Sequence, residues 1–527
     1  MTQASYVIGD VRPPLINETV GRYFDAICAA NPDRVAVISC HQHVRWTYSE
    51  LKERVDSLAG SFIGLGISPG ERMGIWAPNC WEWLVTQYAA AKAGLILVNI
   101  NPAYRRVEVE YALNKVGCKA LIVTPRHKSS DYIEMLCDLA PELPLAVPGM
   151  LSAQRLPHLR TVITLGQLKY PGCLPFDHVL RASAAGQVRR IEELATALRC
   201  EQPINIQFTS GTTGLPKGAT LSHRNVLNNA FFVGEAIKLT PGSRLCVPVP
   251  LYHCFGMVMG NLGCLTHASC VVYPSENFDP KTMLEAIEAE RCSGLYGVPT
   301  MFIAALNHPD FPRFNLNSLR TGIMAGSPCP IEIMHRVVDR MHLPEITIAY
   351  GMTETSPVSF QSTTDETLER RVTTVGRVQP HLEVKVVDPA GQVVARGEPG
   401  ELCTRGYSVM LGYWEDPERT AEVLDDEGWM HTGDLGTLDE EGYCNIVGRI
   451  KDIVIRGGEN ISPREIEEFL YRHPAIQDVQ VIGVPDSKYG EELCACIIVR
   501  PGHGLTADDV QAFCRDQIAH YKIPRFV

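Results

Sequence analysis

The sequence predicts an α/β protein with a large N-terminal domain and a small C-terminal one. At 527 residues the chain is too long for one core and suggests about two to four folding units. Apolar strand-like runs alternate with helical patterns in the first half, which predicts doubly wound parallel sheets covered by helices. From about Val372, short alternating segments between Gly, Pro and Asp turns indicate a small antiparallel β-barrel or sheet. Past Arg449 the pattern changes again, so we predict domains at residues 1–450 and 451–527, the second one α+β.

The first half supplies the alternating elements in order. Thr47 and Glu50 form a capping-box pattern ahead of apolar residues at helical spacing. Residues 73–77 follow a Pro-Gly turn and are typical of a buried strand. Asn79 is then predicted to cap a helix that ends at Gly94. Two further strands are predicted at residues 95–98 and 120–123.

The second half gives shorter elements. Residues 383–387 alternate apolar and polar side chains, as an antiparallel strand does. Ser462, Pro463 and Glu465 combine an N-cap, a proline at the first helical position and a capping box. These residues predict the first helix of the small domain.

Composition narrows the function classes. Hydrophobic residues make up 45% of the chain and charged residues 20%, so disorder is not expected of any long segment. The formal net charge of -12 argues against nucleic-acid binding as the main function. The longest apolar stretch, around residues 89–100, is interrupted by Lys92 and falls short of the ~20 residues that a bilayer requires. No transmembrane segment is therefore expected.

The 18 cysteines include no C-x-x-C pair. This scatter favours reduced, structural cysteines in an intracellular compartment over zinc sites or a disulfide framework. The N-terminus has neither a signal-peptide core nor an Arg-rich transit segment, so no presequence is visible in the chain.

A loop rich in glycine and hydroxyl groups follows a predicted strand at residues 204–208. Residues 209–218 read T-S-G-T-T-G-L-P-K-G. Glycine lets backbone N–H groups approach phosphate oxygens closely, and Lys217 adds a positive charge. The common nucleotide-triphosphatase loop ends in Gly-Lys-Ser/Thr, and Gly-Lys occurs nowhere in this chain. The loop therefore predicts a different kind of phosphate site, although a flexible surface turn has a similar composition.

Four further motifs follow the loop in one order. They are Y-G-M-T-E at residues 350–354, G-W-M-H-T-G-D at 428–434, G-R-I-K-D at 448–452 and R-G-G-E-N-I-S-P at 456–463. With the loop, they resemble the adenylate-forming superfamily of acyl-CoA synthetases, coumarate ligases, peptide-synthetase adenylation domains and firefly luciferase. The resemblance covers nearly the whole chain and is strongest to the mammalian mitochondrial medium-chain acyl-CoA synthetases.

The resemblance implies an ATP-dependent fatty acid–CoA ligase. A fatty acid would be joined to AMP with release of pyrophosphate, and the thiol of coenzyme A would then attack the acyl-adenylate. An anion must approach a triphosphate in the first step, so the site has to neutralise negative charge. By resemblance, the departing phosphates would be held by Thr209, Ser210, Gly211, Thr212, Thr213, Gly214 and Lys217. Glu354 would bind Mg²⁺, although an acid at this place can also cap its own helical turn.

The resemblance also implies a nucleoside site. Tyr350 would stack on adenine, and Thr353 would donate a hydrogen bond to the α-phosphate. Asp434 would accept hydrogen bonds from the ribose hydroxyls, although an Asp after Gly is also typical of a turn. Arg449 would reach the ribose or phosphate region. Residues 325–328 occupy the position of the family's adenine-pocket loop, and within them Gly326 and Ser327 are expected to border the base.

His253 follows an apolar run and matches the family histidine beside the acyl carboxylate and the incoming thiol. A histidine between aromatic residues can equally be a packed core residue. The acyl pocket is expected to use Phe255, Met259, Val298 and Pro299.

Lys451 matches the family's hinge, about which the small domain turns between the two half-reactions. In this respect the small domain is expected to be mobile. Gly457 and Gly458 would move toward the pantetheine arm of CoA.

The chain departs from the family at its end, after residues 521–527. Relatives continue into a loop whose lysine bridges the acyl carboxylate and the α-phosphate, so we expect a truncated small domain and impaired adenylation. The alternatives are a non-catalytic or half-reaction-only nucleotide-binding form, or an adenylating enzyme with another acceptor. Resemblance also implies location in the mitochondrial matrix, with fatty acid, ATP and CoA as small-molecule substrates and no nucleic-acid partner. The sequence does not indicate an oligomeric state.

Overall fold

The computed structural model describes residues 3–183, 185–209, 215–456, 459–486, 489–515 and 517–527. Its large N-terminal domain and smaller C-terminal domain confirm the predicted α/β class. None of the helices in these ranges is long and apolar enough to cross a membrane. The α-helices are Val20–Ala30, Tyr48–Gly64, Trp81–Ala93, Arg106–Lys115, Tyr132–Leu139, Phe176–Leu180, Ala185–Ala197, His223–Ala236, Gly263–Thr266, Pro280–Glu290, Pro299–Leu306, Ile331–Met341, Leu368–Thr373, Pro417–Ala421, Pro463–Leu470 and Ala507–Cys514.

The first large sheet has eight strands, and the predicted phosphate loop leaves from it. Six neighbouring strands are parallel, and two antiparallel strands complete one side. The spatial order is Leu174–Pro175, Thr161–Thr164, Ala120–Val123, Arg72–Trp76, Ile96–Asn99, Pro203–Thr209, Lys217–Ser222 and Gly412–Tyr413. The strands predicted at residues 73–77, 95–98, 120–123 and 204–208 are confirmed, each to within one residue at either end.

The second large sheet has nine strands, with six parallel strands in its centre and antiparallel strands at both sides. Their spatial order is Arg377–Val378, Val358–Gln361, Glu345–Gly351, Thr321–Ala325, Gly294–Gly297, Arg244–Cys246, Cys270–Tyr273, Val35–Ser39 and Val44–Thr47. A small hairpin of Arg126–His127 and Ser130–Asp131 lies outside both large sheets. Parallel strands joined through helices confirm the doubly wound arrangement that the sequence predicts.

The main core lies between the two sheets. Helix Trp81–Ala93 is buried around nearly its whole circumference, as expected of a helix enclosed on all sides. It shares one apolar cluster with Met73 and Leu97 of the first sheet and Val271 of the second. The Thr47–Glu50 capping box is confirmed at the start of the neighbouring helix.

The prediction for Asn79 is half right. The helix ends at Gly94, which has the left-handed conformation that favours glycine, but Cys80 occupies its N-cap without a side-chain bond. Asn79 instead donates to the carbonyl of Val249 at 2.9 Å and accepts from the N–H of Leu251 at 2.8 Å. The Asn79 side chain is buried, and buried backbone groups need hydrogen-bond partners. Asn79 therefore bonds the backbone of the facing loop and does not cap its own helix.

A five-stranded antiparallel sheet completes the large domain. Its order is Tyr6–Ile8, Leu382–Val387, Gly400–Gly406, Met430–Leu438 and Cys444–Arg449. Within the described ranges no ladder joins the first strand to the last, so the predicted β-barrel is an open sheet. Closure is not needed because one edge strand has only three residues and the other is covered by the small domain.

In its described residues, the small domain has a four-stranded sheet and two α-helices, Pro463–Leu470 and Ala507–Cys514, which confirms the α+β prediction. The strand order is Glu459–Ile461, Val454–Arg456, Gly490–Val499 and Ile476–Asp486. A 3-10 helix, Ile450–Asp452, leads into it. The predicted boundary between residues 450 and 451 falls in this turn and stays a prediction.

The start of the first small-domain helix differs from its sequence pattern. Ser462 is the N-cap and Pro463 the first helical residue, but Ser462 makes no capping bond, so the predicted capping box is wrong. Its hydroxyl donates to the carbonyl of Val447, and the Arg464 guanidinium donates to that of Ile446 at 2.8 Å. These carbonyls belong to the edge strand of the five-stranded sheet. Residues that could cap a helix therefore join the two domains instead.

Candidate active site

The predicted phosphate loop connects two antiparallel strands. Strand Pro203–Thr209 ends where the loop begins, and Thr209 pairs with Lys217 at the start of the next strand. Ser210, Gly211, Thr212, Thr213 and Gly214 lie outside the described residues. The two ends of the loop therefore emerge side by side at one edge of the large-domain core.

Glu354 lies beside this pair of ends. It is 5% exposed and belongs to the 3-10 turn Thr353–Thr355. Its Oε1 accepts hydrogen bonds from Thr209 Oγ1 at 3.2 Å and from the Tyr413 hydroxyl at 2.9 Å. Both bonds reach one oxygen of the carboxylate, and neither comes from Glu354's own turn. The carboxylate therefore points toward the phosphate loop, and hard oxygen ligands of this kind suit Mg²⁺.

Tyr413 is a site residue that the sequence patterns did not indicate. Besides its bond to Glu354, its ring lies 4.9 Å from the Lys217 ammonium. Burial and then the charge of Glu354 raise the pKa of Tyr413, so its hydroxyl stays a donor. Only the pairing of Gly412–Tyr413 with Lys217–Ser222 brings it here, and no local motif announces that contact. We call Thr209, Lys217, Glu354 and Tyr413 the phosphate cluster.

A second group of predicted residues meets at Asp434. The Tyr350 hydroxyl donates to Asp434 Oδ2 at 2.6 Å, and Arg449 Nε donates to Oδ1 at 3.2 Å. Asp434 and Arg449 are cross-strand partners, and Asp434 is 7% exposed. We call these three residues the nucleoside cluster.

Burial governs the protonation of this cluster. It raises the pKa of Asp434, while the hydrogen bond from Tyr350 and the charge of Arg449 act in the opposite direction. It also raises the pKa of Tyr350 well above the ordinary value, with the Asp434 charge adding to the effect. A neutral phenol and a carboxylate with two bound donors are thus held together in a partly dry site.

A cavity of about 700 Å³ opens beside the nucleoside cluster. Gly326 and Ser327 line it, as do Lys451 and residues of the small domain. Gly326 has a φ of +91° directly after strand Thr321–Ala325, a conformation that favours glycine. The cavity has the size of ordinary small-molecule sites and lies between the two domains. The remaining small-domain residues along it include Arg464, Glu467, Gln480 and Glu491.

Thr353 and His253 are less closely joined to these clusters. Thr353 is half-buried and precedes Glu354 in the same turn. His253 is exposed and lies before the π-helix Phe255–Leu262, with its ring tilted against Tyr252 at 4.2 Å between centroids. The protein around the imidazole displaces enough water to lower its pKa. Among the described residues, His253 makes no hydrogen bond to another site residue; its backbone bonds go to residues 250, 256 and 257.

Cys254, the residue that follows His253, is buried. Burial raises the pKa of the Cys254 thiol, and the charge of Glu354 acts on it in the same direction. Of the residues expected in the acyl pocket, Phe255 packs against Tyr296 at 5.3 Å between ring centroids. Met259 and Pro299 are buried. Gly457 and Gly458 lie outside the described residues.

Residues 24–414 match the family described as AMP-binding enzyme, and residues 465–527 match its C-terminal domain. The chain belongs to the AMP-binding enzyme family. The mitochondrial medium-chain acyl-CoA ligase ACSF2 of Macaca fascicularis is 46% identical over 529 residues, covering 99% of this chain and 85% of that protein. This membership confirms the resemblance to the adenylate-forming superfamily.

Two solved structures share the fold over nearly the whole chain. The anthranilate CoA ligase AuaEII in complex with anthranoyl-AMP has a TM-score of 0.85 at 25% identity, covering 97% of this chain and 93% of that one. The amide bond synthetase McbA from Marinactinospora thermotolerans has a TM-score of 0.80 at 29% identity, covering 96% and 95%. The first is named for CoA and the second for an amide, so one fold occurs with two kinds of product.

Proposed function

We propose that the protein is an ATP-dependent acyl-CoA synthetase. It activates a medium-chain fatty acid as an acyl-adenylate and then transfers the acyl group to coenzyme A, releasing pyrophosphate and AMP. The observation that carries the proposal is the buried Glu354 carboxylate held by Thr209 and Tyr413 at the mouth of the phosphate loop. The fatty acid and CoA are supported by the names of relatives such as ACSF2.

The phosphate cluster would bind the triphosphate. Lys217 and the Thr209 hydroxyl would contact the phosphates, because both lie beside Glu354 and Tyr413, and Glu354 would hold Mg²⁺. Bound Mg²⁺ supplies positive charge that offsets the repulsion between the phosphates and the incoming carboxylate. Tyr413 keeps Glu354 in one orientation, because its hydroxyl donates to the carboxylate. Such fixed groups stabilise charge without reorganising during the reaction.

The nucleoside cluster would bind the other end of ATP. Ionised Asp434 is an acceptor and suits the two vicinal hydroxyls of ribose. Tyr350 offers its ring face to adenine while its hydroxyl orients Asp434. Gly326 and Ser327 would border the base, Arg449 would reach the ribose or α-phosphate, and Thr353 would donate to the α-phosphate.

The bond changes then follow. A carboxylate oxygen of the fatty acid attacks the α-phosphorus, and the bond to the departing pyrophosphate breaks. In the second step the CoA sulfur attacks the acyl carbonyl carbon, and the bond to AMP breaks. The lowered pKa of His253 keeps its imidazole neutral near pH 7, so it can accept the thiol proton.

The small domain would turn between these steps. Lys451 lies exposed in the 3-10 turn Ile450–Asp452 and would serve as the hinge. Ser462 and Arg464 hold the present orientation through two carbonyls of the large domain. Gly457 and Gly458 would approach the pantetheine arm after the turn. The assignment of residues 1–450 and 451–527 as the moving bodies is part of this proposal, as is a mitochondrial location, which ACSF2 carries in its name.

A panel of straight-chain acids of increasing length tests the function. The protein is incubated with ATP, Mg²⁺ and CoA, and AMP release and acyl-CoA mass are followed together. We expect acyl-CoA formation that is highest for acids of medium length. AMP release without any acyl-CoA would overturn the CoA assignment, and failure of every acid to release AMP would overturn the ligase.

A second acceptor is favoured by one observation, the structural match to the amide bond synthetase McbA. The same assay with amines in place of CoA separates the two products by mass. An amide formed faster than the thioester would favour the second candidate. ATP binding without turnover by any acid would instead favour a non-catalytic nucleotide-binding protein.

A further inference from the structure

Three metal-ligating side chains lie on one face of the five-stranded sheet, outside the proposed ATP site. Cys403 on strand Gly400–Gly406 is the direct cross-strand partner of His431 on strand Met430–Leu438. Glu401 is two residues before Cys403 and so projects to the same face. Of the described residues, these are the ones whose sulfur, nitrogen and carboxylate oxygen all lie within 4.8 Å of one another.

Two of the three separations between the ligand atoms can be compared with a tetrahedral cation, and the third, from sulfur to oxygen, is within 4.8 Å. Cys403 Sγ is 3.5 Å from His431 Nδ1, which is 2.9 Å from Glu401 Oε2. With ordinary zinc bond lengths, a tetrahedral angle places sulfur and nitrogen about 3.5 Å apart, and nitrogen and oxygen about 3.3 Å apart. The first separation needs no change, and the second needs a shift of a few tenths of an ångström.

We propose that Glu401, Cys403 and His431 form a binding site for a thiophilic divalent cation, with Zn²⁺ as the preferred ion. The ligand set of one sulfur, one imidazole nitrogen and one carboxylate oxygen suits zinc and does not suit Mg²⁺. Three protein ligands leave the fourth position for water. The site is therefore chemically separate from the Mg²⁺ position proposed at Glu354.

The surroundings supply what such a site needs. Asp425 Oδ2 lies 3.8 Å from the other ring nitrogen of His431, which is beyond hydrogen-bond distance but on the side from which a carboxylate orients a metal-binding histidine. The side chains of His431 and Glu401 are 34% and 22% exposed, so a cation can enter from solvent. Lys385 pairs with Cys403 from the neighbouring strand Leu382–Val387, and its positive charge opposes the binding of a cation. Its ammonium lies 4.4 Å over the Trp429 ring.

The Glu401 carboxylate also joins this site to the nucleoside cluster. Glu401 Oε1 accepts from the N–H of Gly433 at 3.0 Å, while Oε2 faces the proposed cation. Gly433 and Asp434 lie where the register between the two strands shifts, opposite residues 401–403. A bulge of this kind re-aims side chains. A cation on Oε2 would therefore hold the base of the turn that carries Asp434.

Cobalt substitution tests the site, because a Co²⁺–thiolate bond gives a charge-transfer absorption that nitrogen and oxygen ligands do not. The whole protein is titrated with Co²⁺ and then with Zn²⁺, each metal alone. We expect one equivalent of Co²⁺ with thiolate absorption that Zn²⁺ displaces. Cys403→Ser should remove the band, and His431→Gln should weaken Zn²⁺ binding about 10-fold or more, the scale that disturbed metal sites show.

Two matched variants separate this site from adventitious binding. Cys496→Ser removes the exposed cysteine of the small domain, and His267→Ala removes a histidine paired with Glu235 at 3.0 Å that has no cysteine in the pair. Both should keep the band. Absence of the band in the unaltered protein, or its persistence in Cys403→Ser, would overturn the proposal. Circular dichroism checks folding, and a folded His431→Gln with unchanged Zn²⁺ affinity would overturn it as well.

Discussion

The two halves of the proposed ATP site are built differently. In the phosphate cluster, Glu354 is 5% exposed and is held by hydroxyls from two strands of one large sheet. In the nucleoside cluster, Asp434 is similarly buried at 7%, but the Arg449 side chain that pairs with it is 59% exposed and lies on the last strand before the small domain. Charge neutralisation needs groups fixed in a dry setting. Nucleotide entry and domain rotation instead need a boundary that can open.

The largest expected effect is at Glu354 in the phosphate cluster. Glu354→Gln keeps the size of the side chain but removes the charge that would hold Mg²⁺. We expect ATP–pyrophosphate exchange with a medium-chain acid to fall about 10²–10³-fold, as for loss of one fixed electrostatic group. Glu369→Gln alters an exposed glutamate of the same domain and should leave the rate unchanged. Equal rates for Glu354→Gln and the unaltered protein would remove this cluster from the mechanism.

The second effect belongs to the nucleoside half. Asp434→Asn loses one acceptor oxygen and the charge that holds Arg449. We expect the ATP KM to rise about 10- to 100-fold, because hydrogen bonds to charged groups contribute about 1.5–3 kcal/mol. Asp426→Asn, on an exposed aspartate nearby, is the control.

The same residue predicts a pH dependence. Because burial raises the pKa of Asp434, its carboxylate takes up a proton at a higher pH than an ordinary aspartate does, which titrates at about 4. ATP affinity should therefore weaken on acidification before ordinary carboxylates titrate. Asp434→Asn should lack that decline. An identical pH profile in the variant would show that another group is responsible.

A smaller effect is expected at Tyr413, which orients Glu354 in the phosphate cluster. Tyr413→Phe keeps the ring under Lys217 but removes the hydrogen bond to Glu354. We expect about a 10-fold loss of exchange rate, which corresponds to about 1.4 kcal/mol. Tyr407→Phe removes another buried tyrosine hydroxyl of the large domain and is the matched control. A loss as large as that of Glu354→Gln would mean that Tyr413 does more than orient the carboxylate.

The smallest effect concerns the hydrogen bonds between the large and the small domain. Ser462→Ala removes the bond from the small domain to the Val447 carbonyl. We expect trypsin to cleave after the exposed Lys451 about 2- to 5-fold faster, because one hydrogen bond contributes about 0.5–1 kcal/mol. Thr506→Ala weakens a helix cap inside the small domain and should not change this rate. Unchanged cleavage in Ser462→Ala would show that the hydroxyl does not hold the domains together.

The sequence predicted much of the fold, and its errors share one cause. Thr47 and Glu50 cap a helix as their pattern indicates, since both partners are close in the chain. Asn79 and Ser462 carry equally good capping patterns, yet each bonds a carbonyl of a distant segment. A local pattern names the available donors and acceptors, and competition from distant partners decides which bond forms.

The sequence alone determined the alternating strands and helices and the change to short antiparallel strands near residue 372. It also determined the motifs that assign Thr209, Glu354 and Asp434 to an adenylate-forming site. Periodicity and turn chemistry act over a few residues, so they can be read along the chain. Only the tertiary structure decided that Tyr413 holds Glu354, that Cys403 faces His431, and that the antiparallel strands stay an open sheet. Those contacts depend on strand register and on which surfaces remain to be covered, and both are settled only when distant segments pack.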